Sequence, residues 1–328
     1  MKYIINKKFI PITTMIDLVG GILFFWKKLR KKPIKLKKVL FIRLEHIGDM
    51  VMATPVFELF KKCHPQTKIH VLCRELTVPI IKNNPYIDKI IIYEAPWFIR
   101  RKSKSRTNFF KLLTILRKES YDLIFEMHGD PRNNLLAFMT GAYSIGYGCR
   151  GGGFFLNKLK NYDNKKRHNI IQNLILVEDY CQNKILKSIR EIKTKIFTDE
   201  KSKKNAEKIM KKYNLKKNRF IIINPLSGRK EKNLTKSETE YFIEKNKNFL
   251  IVLTGSKEER EFCKSFENRT KKIINLCGKT DLLTLTELVK YAKKVIAPDT
   301  GIIHIARAVE TNFEAVYKTT NKNVWGYE

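Results

Sequence analysis

Apolar residues in the first half of the chain come in short blocks. VLFIRL (39–44), KIHVLC (68–73), KIIIYE (89–94) and YDLIFEM (121–127) are runs of strand length, apolar almost throughout. Longer amphipathic stretches separate them: MVMATPVFELFKKC (50–63), the short ELTVPIIKN, and NFFKLLTILRKES. Strands alternating with helices predict a parallel, doubly wound α/β sheet. Around 141–153 the chain turns glycine-rich, GAYSIGYGCRGGG, and reads as a strand followed by a mobile loop. The helix-like HNIIQNLILVEDYC (168–181) closes this half, and 182–200 reads as a connector.

A second alternation follows. Strands are expected at RFIIINP (219–225), FLIVLTG (249–255), KIINLC, KVIAPD (294–299) and NFEAVY. Helices are expected at KSKKNAEKIMKKYNL, near 236–246, and at KEEREFCKSFENR, DLLTLTELVKYA (281–292) and GIIHIARAVE. The pattern predicts two Rossmann-like domains, 37–195 and 196–328, preceded by a distinct segment, 1–36. Right-handed crossovers put the strand C-terminal loops of each half along one edge, where ligands of such sheets bind. Two such halves are expected to face a central cleft.

The segment before the first strand changes the picture. Residues 9–26, FIPITTMIDLVGGILFFW, are mostly apolar, but fall short of the ~20 residues that a spanning helix needs. The basic run KKLRKKPIKLKK (27–38) comes after the apolar run, opposite to a secretory signal. The segment reads first as an interfacial anchor with a polybasic clamp on anionic lipid. A true span with its basic side in the cytoplasm, and a plain helix packed on the domain, are the alternatives. The first two leave the rest of the chain in the cytoplasm.

Charge supports an acidic partner. Sixty-six Lys and Arg against 32 Asp and Glu give +34 over 328 residues. Lys, Asn and Ile are abundant throughout, so composition explains part of the excess. Residues 27–38 and RRKSKSR (100–106) are denser than that background. A nucleic-acid partner is not expected, because no recognised RNA- or DNA-binding motif accompanies the charge. Six cysteines at wide spacing, with no CxxC pair, fit buried thiols in a reducing cytosol.

Four strand-end loops carry candidate chemistry. In RLEHIGDMVMATP (43–55), Gly48 permits a tight turn and Asp49 falls at a helix start. An N-cap is the ordinary use of such an aspartate. A carboxylate there repels phosphate, so a base accepting a proton from a sugar hydroxyl is its chemical alternative. In APDTGIIHIA (297–306), backbone N–H groups at Thr300, Gly301 and Ile302 would point out of a helix start and make a diphosphate site with the Thr300 hydroxyl, His304 lying one turn in; a capped helix with a core histidine is the ordinary alternative. NPLSGRKEKNLT (224–235) offers cations including Lys232, or is a solvated basic turn. In LTGSKEERE (253–261), Glu259 either binds ribose hydroxyls or favours its own helix dipole.

Together these four motifs, in this order from about Val39 onward, resemble glycosyltransferase family 9, the lipopolysaccharide heptosyltransferase family. APDTGIIHIARAVET is the nearest match, to a Pro/Ser-Asp-Thr-Gly-x-x-His-x-Ala-x-Ala segment. Leu226 stands where the family has glycine, and Asn233-Leu234-Thr235 replaces Arg-Trp-Pro. Tyr317-Lys318-Thr319-Thr320 replaces Phe-Gly-Pro-Thr, and the second domain reads as short at its C-terminal end.

The resemblance implies a GT-B glycosyltransferase that inverts the sugar. Asp49 would be the general base and Lys232 would offset charge on the leaving phosphate. Ser227, Glu259, Asp299, Thr300, Gly301 and His304 would hold the donor; Arg43, Arg100 and Arg101 would meet the acceptor. The expected substrates are a nucleotide sugar, ADP-heptose, and an anionic lipid-linked oligosaccharide at the inner face of the cell membrane. No cofactor is expected, and no metal, since the chain contains no Asp-x-Asp. Transfer from another nucleotide sugar and nucleotide-sugar epimerisation remain as alternatives.

Overall fold

The computed structural model describes residues 3–97, 108–181, 193–267 and 272–327. The chain forms two compact units. The first comprises Met1–His46, Ala53–Val78 and Pro85–Ile192; the second comprises Ile47–Met52, Pro79–Asn84 and Lys193–Glu328.

The first unit is built on six parallel strands: β1 (Lys38–Arg43), β2 (Lys68–Cys73), β3 (Lys89–Ile92), β4 (Leu123–Glu126), β5 (Tyr143–Tyr147) and β6 (Lys158–Lys160). Their order is β3-β2-β1-β4-β5-β6. In the register, Val39 of β1 lies opposite both Ile69 and Leu123. Central strands covered on both faces must be apolar throughout, which is why β1 reads VLFI rather than alternating. Phe41 is fully buried and stacks on Phe125 at 4.8 Å, with Phe57 and Phe60 edge-on.

The second unit carries β7 (Phe220–Ile223), β8 (Leu250–Leu253), β9 (Ile273–Asn275), β10 (Lys294–Pro298) and β11 (Phe313–Val316). All pairs are parallel and the order is β11-β10-β7-β8-β9. Both sheets therefore reverse direction beside their first strand, between β1 and β4 and between β7 and β10. Loops at the carboxyl ends of such strand pairs are where ligands of this architecture bind.

Three sequence expectations need correction. The glycine-rich stretch after β5 is not a mobile loop. Gly151, Gly152 and Gly153 are buried and lead through a short 3-10 turn (Gly153–Phe155) into the additional strand β6. A methyl group on Gly152 would collide with Pro131, so glycine here serves close packing rather than slack. A helix over Pro131–Met139 also intervenes between β4 and β5, opened by an Asp130 N-cap and Pro131 at its first turn. Finally, the helix after β1 spans Ile47–Cys63, so Gly48 lies inside its first turn and not in a tight turn ahead of it.

The apolar N-terminal segment forms a 14-residue helix, Ile10–Leu23, within the first unit. No helix among the described residues is long and apolar enough to cross a membrane.

Candidate functional site

In the second unit the carboxyl end of β10 passes directly into the helix Gly301–Ala308. Thr300 is its N-cap residue but makes no side-chain cap. The Thr300 hydroxyl is buried and without a hydrogen-bond partner. A helix start lacking its side-chain cap, with an idle hydroxyl beside it, is prepared for an anion.

A cation stands next to it. Lys232 reaches over from the loop after β7 and donates to the Asp299 backbone carbonyl (2.9 Å) and to Asp299 Oδ2 (3.0 Å). Asp299 is buried, and this charge-assisted contact fixes the ammonium at the end of β10. The loop holding Lys232 is self-supporting. Ser227 N–H donates to Asn233 Oδ1 (2.8 Å) and the Ser227 hydroxyl donates to the Arg229 carbonyl (2.7 Å).

His304 lies one turn into the helix, buried. Its Nδ1 is 2.7 Å from the Tyr327 hydroxyl, and its Nε2 is 3.7 Å from Asp299 Oδ1. Burial pushes its pKa below the ordinary histidine value, against the opposing pull of Asp299 and Asp49. Residues 47–52 belong to this same unit, so the Gly48–Asp49 turn meets the helix here. A methyl on Gly48 would collide with the His304 ring, and a methyl on Gly301 would come within 3.0 Å of Ile47 Cγ2. Two glycines thus allow the two helix starts to touch. Asp49, Lys232, Asp299, Thr300, Gly301 and His304 are brought together in this unit.

Glu259 has a local partner. Its Oε2 accepts from Ser256 N–H (2.7 Å) in a capping box that opens the turn after β8. That is the helix-end use which the sequence left open beside ribose binding.

The first unit has its own charged cluster at the β1–β4 reversal. Arg43, at the end of β1, is buried; its Nη1 donates to the Met127 carbonyl (2.6 Å) and its Nε lies 3.2 Å from Glu45 Oε2. Its guanidinium is committed inside the unit. Glu45 Oε1 lies 3.2 Å from His128 Nδ1. Beside them, Glu126 accepts from Asn133 Nδ2 (3.0 Å) and from the Gly129 N–H. Burial, then the Glu45 charge, push the Glu126 carboxyl up to about 8. Glu45, Glu126 and His128 were missed from sequence. EMHGD (126–130) follows a strand directly, and that position was the available signal. Arg100 and Arg101, with the rest of 100–106, lie outside the described residues.

Comparison with known proteins bears on this arrangement. A family model described as glycosyltransferase family 9 (heptosyltransferase) matches residues 109–327. Lipopolysaccharide heptosyltransferase 3 of Escherichia coli is 24% identical over 288 residues, covering 85% of this chain and 82% of its own length. Lipopolysaccharide heptosyltransferase 1 of Campylobacter coli is 24% identical over 306 residues, covering 86% and 84%. Among solved structures, a glycosyl transferase family 9 protein from Veillonella parvula superposes with a TM-score of 0.77 at 20% identity, covering 91% of this chain and 87% of that one. The E. coli ADP-heptose heptosyltransferase II gives 0.70 at 19% identity, covering 88% and 87%. These likenesses give the fold, GT-B, with two parallel-sheet α/β units.

Proposed function

We infer that this chain, which belongs to glycosyltransferase family 9, moves a heptose from ADP-heptose onto a lipopolysaccharide core acceptor, with inversion at the sugar carbon. It is a glycosyltransferase; the donor, the acceptor and the stereochemistry are our reading. The E. coli and C. coli relatives are named for lipopolysaccharide heptosyl transfer, which motivates the substrate pair.

One observation carries the reading: the buried Thr300 hydroxyl has no partner at an uncapped helix start, beside the Lys232–Asp299 pair. A donor diphosphate satisfies that hydroxyl and the free N–H groups, and its charge offsets Lys232. Asp49 removes the acceptor proton as the acceptor oxygen attacks the anomeric carbon. The bond from that carbon to the diphosphate oxygen breaks, and the helix start with Lys232 stabilises the departing charge. His304, kept neutral by burial, supports the Asp299 side without adding a cation. In this reading no metal or cofactor takes part, and the enzyme works at the inner surface of the cytoplasmic membrane, where its acceptor is anchored.

Calorimetric titration with ADP, UDP, GDP and CMP tests the donor. ADP should bind selectively, and Lys232→Ala should weaken it by about tenfold or more, the loss of a charge-assisted contact. UDP or GDP selectivity would remove heptose and keep the transferase. Asp49→Asn should lower transfer by at least about a hundredfold with ADP affinity nearly unchanged, as expected for a lost general base. Lost ADP affinity in that variant would make Asp49 structural instead.

A further inference from the structure

The N-terminal helix is amphipathic in the reverse sense. Thr13, Asp17, Gly20, Phe24 and Lys27 recur at intervals of four and three and form the face that meets the protein. Gly20 is buried so tightly that a methyl there would collide with the Phe154 ring. Phe24 packs on Phe138, Phe154 and Phe155 with centroids 5.3 to 5.6 Å apart. Lys27 is buried over the Phe138 ring at 4.4 Å, and its backbone carbonyl accepts from Asn157 Nδ2. The helix's lone acid, Asp17, is turned inward, where it accepts from Gly152 N–H (2.8 Å) and the Tyr3 hydroxyl (2.7 Å).

The opposite face is large and apolar. Ile12, Met15, Ile16, Val19 and Leu23 are all at least half exposed, and Leu18 and Ile22 are 66% and 67% exposed. Trp26 and Leu29 carry the surface on. A continuous exposed apolar face of this kind marks an interaction site. Beside it a groove of about 1170 Å³ is lined by Ile4, Ile5, Phe9 and Leu18, with Lys7 and Arg150 among its walls. The Arg150 Nε is buried without a hydrogen-bond partner.

Charge identifies the occupant. Residues 27–38 contain eight cations and no acid, and Lys28, Lys31 and Lys35 are exposed. A second copy of the chain on this face would set two such runs against each other. A zwitterionic or neutral partner would leave them unused. We propose that the outward face of Ile10–Leu23, continued by Trp26 and Leu29, lies in the surface of an anionic bilayer, with the exposed Lys28, Lys31 and Lys35 against its headgroups and Lys7 and Arg150 at the groove for a lipid phosphate. The helix is too short to cross and instead rests in the interface plane, its apolar side in the acyl boundary. This deepens the membrane part of the function proposed above, and names the surface that carries it.

Vesicle sedimentation of the full chain tests it without any sugar donor, so its failure leaves the nucleotide result untouched. Wild-type protein should bind vesicles of phosphatidylethanolamine with phosphatidylglycerol, and much less to pure phosphatidylcholine. Leu18→Asp with Ile22→Asp should weaken anionic-vesicle binding by about tenfold or more, given the apolar area withdrawn. Both positions are exposed, so ADP affinity should stay as in wild type and report an intact fold. Equal binding by the double variant overturns the proposal, as does equal binding to phosphatidylcholine. A concentration-dependent dimer in lipid-free ultracentrifugation, abolished by the double variant, would assign the face to self-association.

Discussion

Gly48 settles which of two effects governs its position. Inside a helix, alanine is favoured over glycine by about 1 kcal/mol. Against that, a methyl at Gly48 strikes the His304 ring, and overpacking a fitted contact costs about 1–3 kcal/mol. The clash should win: Gly48→Ala should lower the denaturant midpoint of unfolding, and a raised midpoint would show that the two helix starts are not tightly fitted. Glu126 offers a second single-residue test. Its carboxyl, near 8 when folded against an ordinary value near 4.5, is held in the wrong direction for a carboxylate. The folded state therefore favours the protonated form. That contribution is complete below about 4.5 and is lost as pH rises through about 8. Glu126→Gln removes the titration, so its melting temperature should gain on wild type as pH is raised from 5 to 9. A constant difference across that range would mean that Asn133 and the backbone donors already compensate the buried charge.

Helix ends are where the elements of this protein meet its chemistry. Most described helices with a polar N-cap use it: Asp130, Asp199, Thr235 and Asp281 each accept a backbone N–H. Gly301–Ala308 is different, because Thr300 does not close onto it. Thr300→Val keeps the shape and deletes a hydroxyl that makes no bond, so stability should change by less than about 0.5 kcal/mol. ADP affinity should fall by roughly tenfold, about 1.4 kcal/mol; unchanged affinity would remove the hydroxyl from the donor site. The same scale shows what a sequence reveals. The strands other than β6 were legible because buried parallel strands are apolar without interruption; β6, Lys158–Lys160, has a lysine on each side of its single leucine. The helix Pro131–Met139 was not, because two of its inward positions are asparagines: Asn133 serves Glu126 and Asn134 donates to the Tyr147 carbonyl. Polar residues facing inward erase the apolar stripe on which helix periodicity rests. The N-terminal helix shows the converse arrangement, since Ile12, Met15, Ile16, Leu18, Val19, Ile22 and Leu23 face outward.

For the molecule as a whole, motif order along the chain carried more than any single loop. Asp49, Lys232 and the Asp299–His304 segment were named from sequence, and the structure gathers them in one unit. Glu45 and His128 needed the fold, because nothing in the chain announces that residues 83 positions apart will sit 3.2 Å from each other. Their proximity follows from β1 and β4 being neighbours, a fact of strand order.

That strand order also bears on how the chain is made. In each sheet the strand synthesised first ends in the interior: β1 between β2 and β4, and β7 between β8 and β10. Each later strand therefore emerges to find an edge already laid down beside it, and growth proceeds outward from the oldest strand. Parallel neighbours are joined by long crossovers, which slow pairing. A finished seed at the centre limits that delay to one crossover at a time. The first sheet can thus be complete before β7 leaves the ribosome.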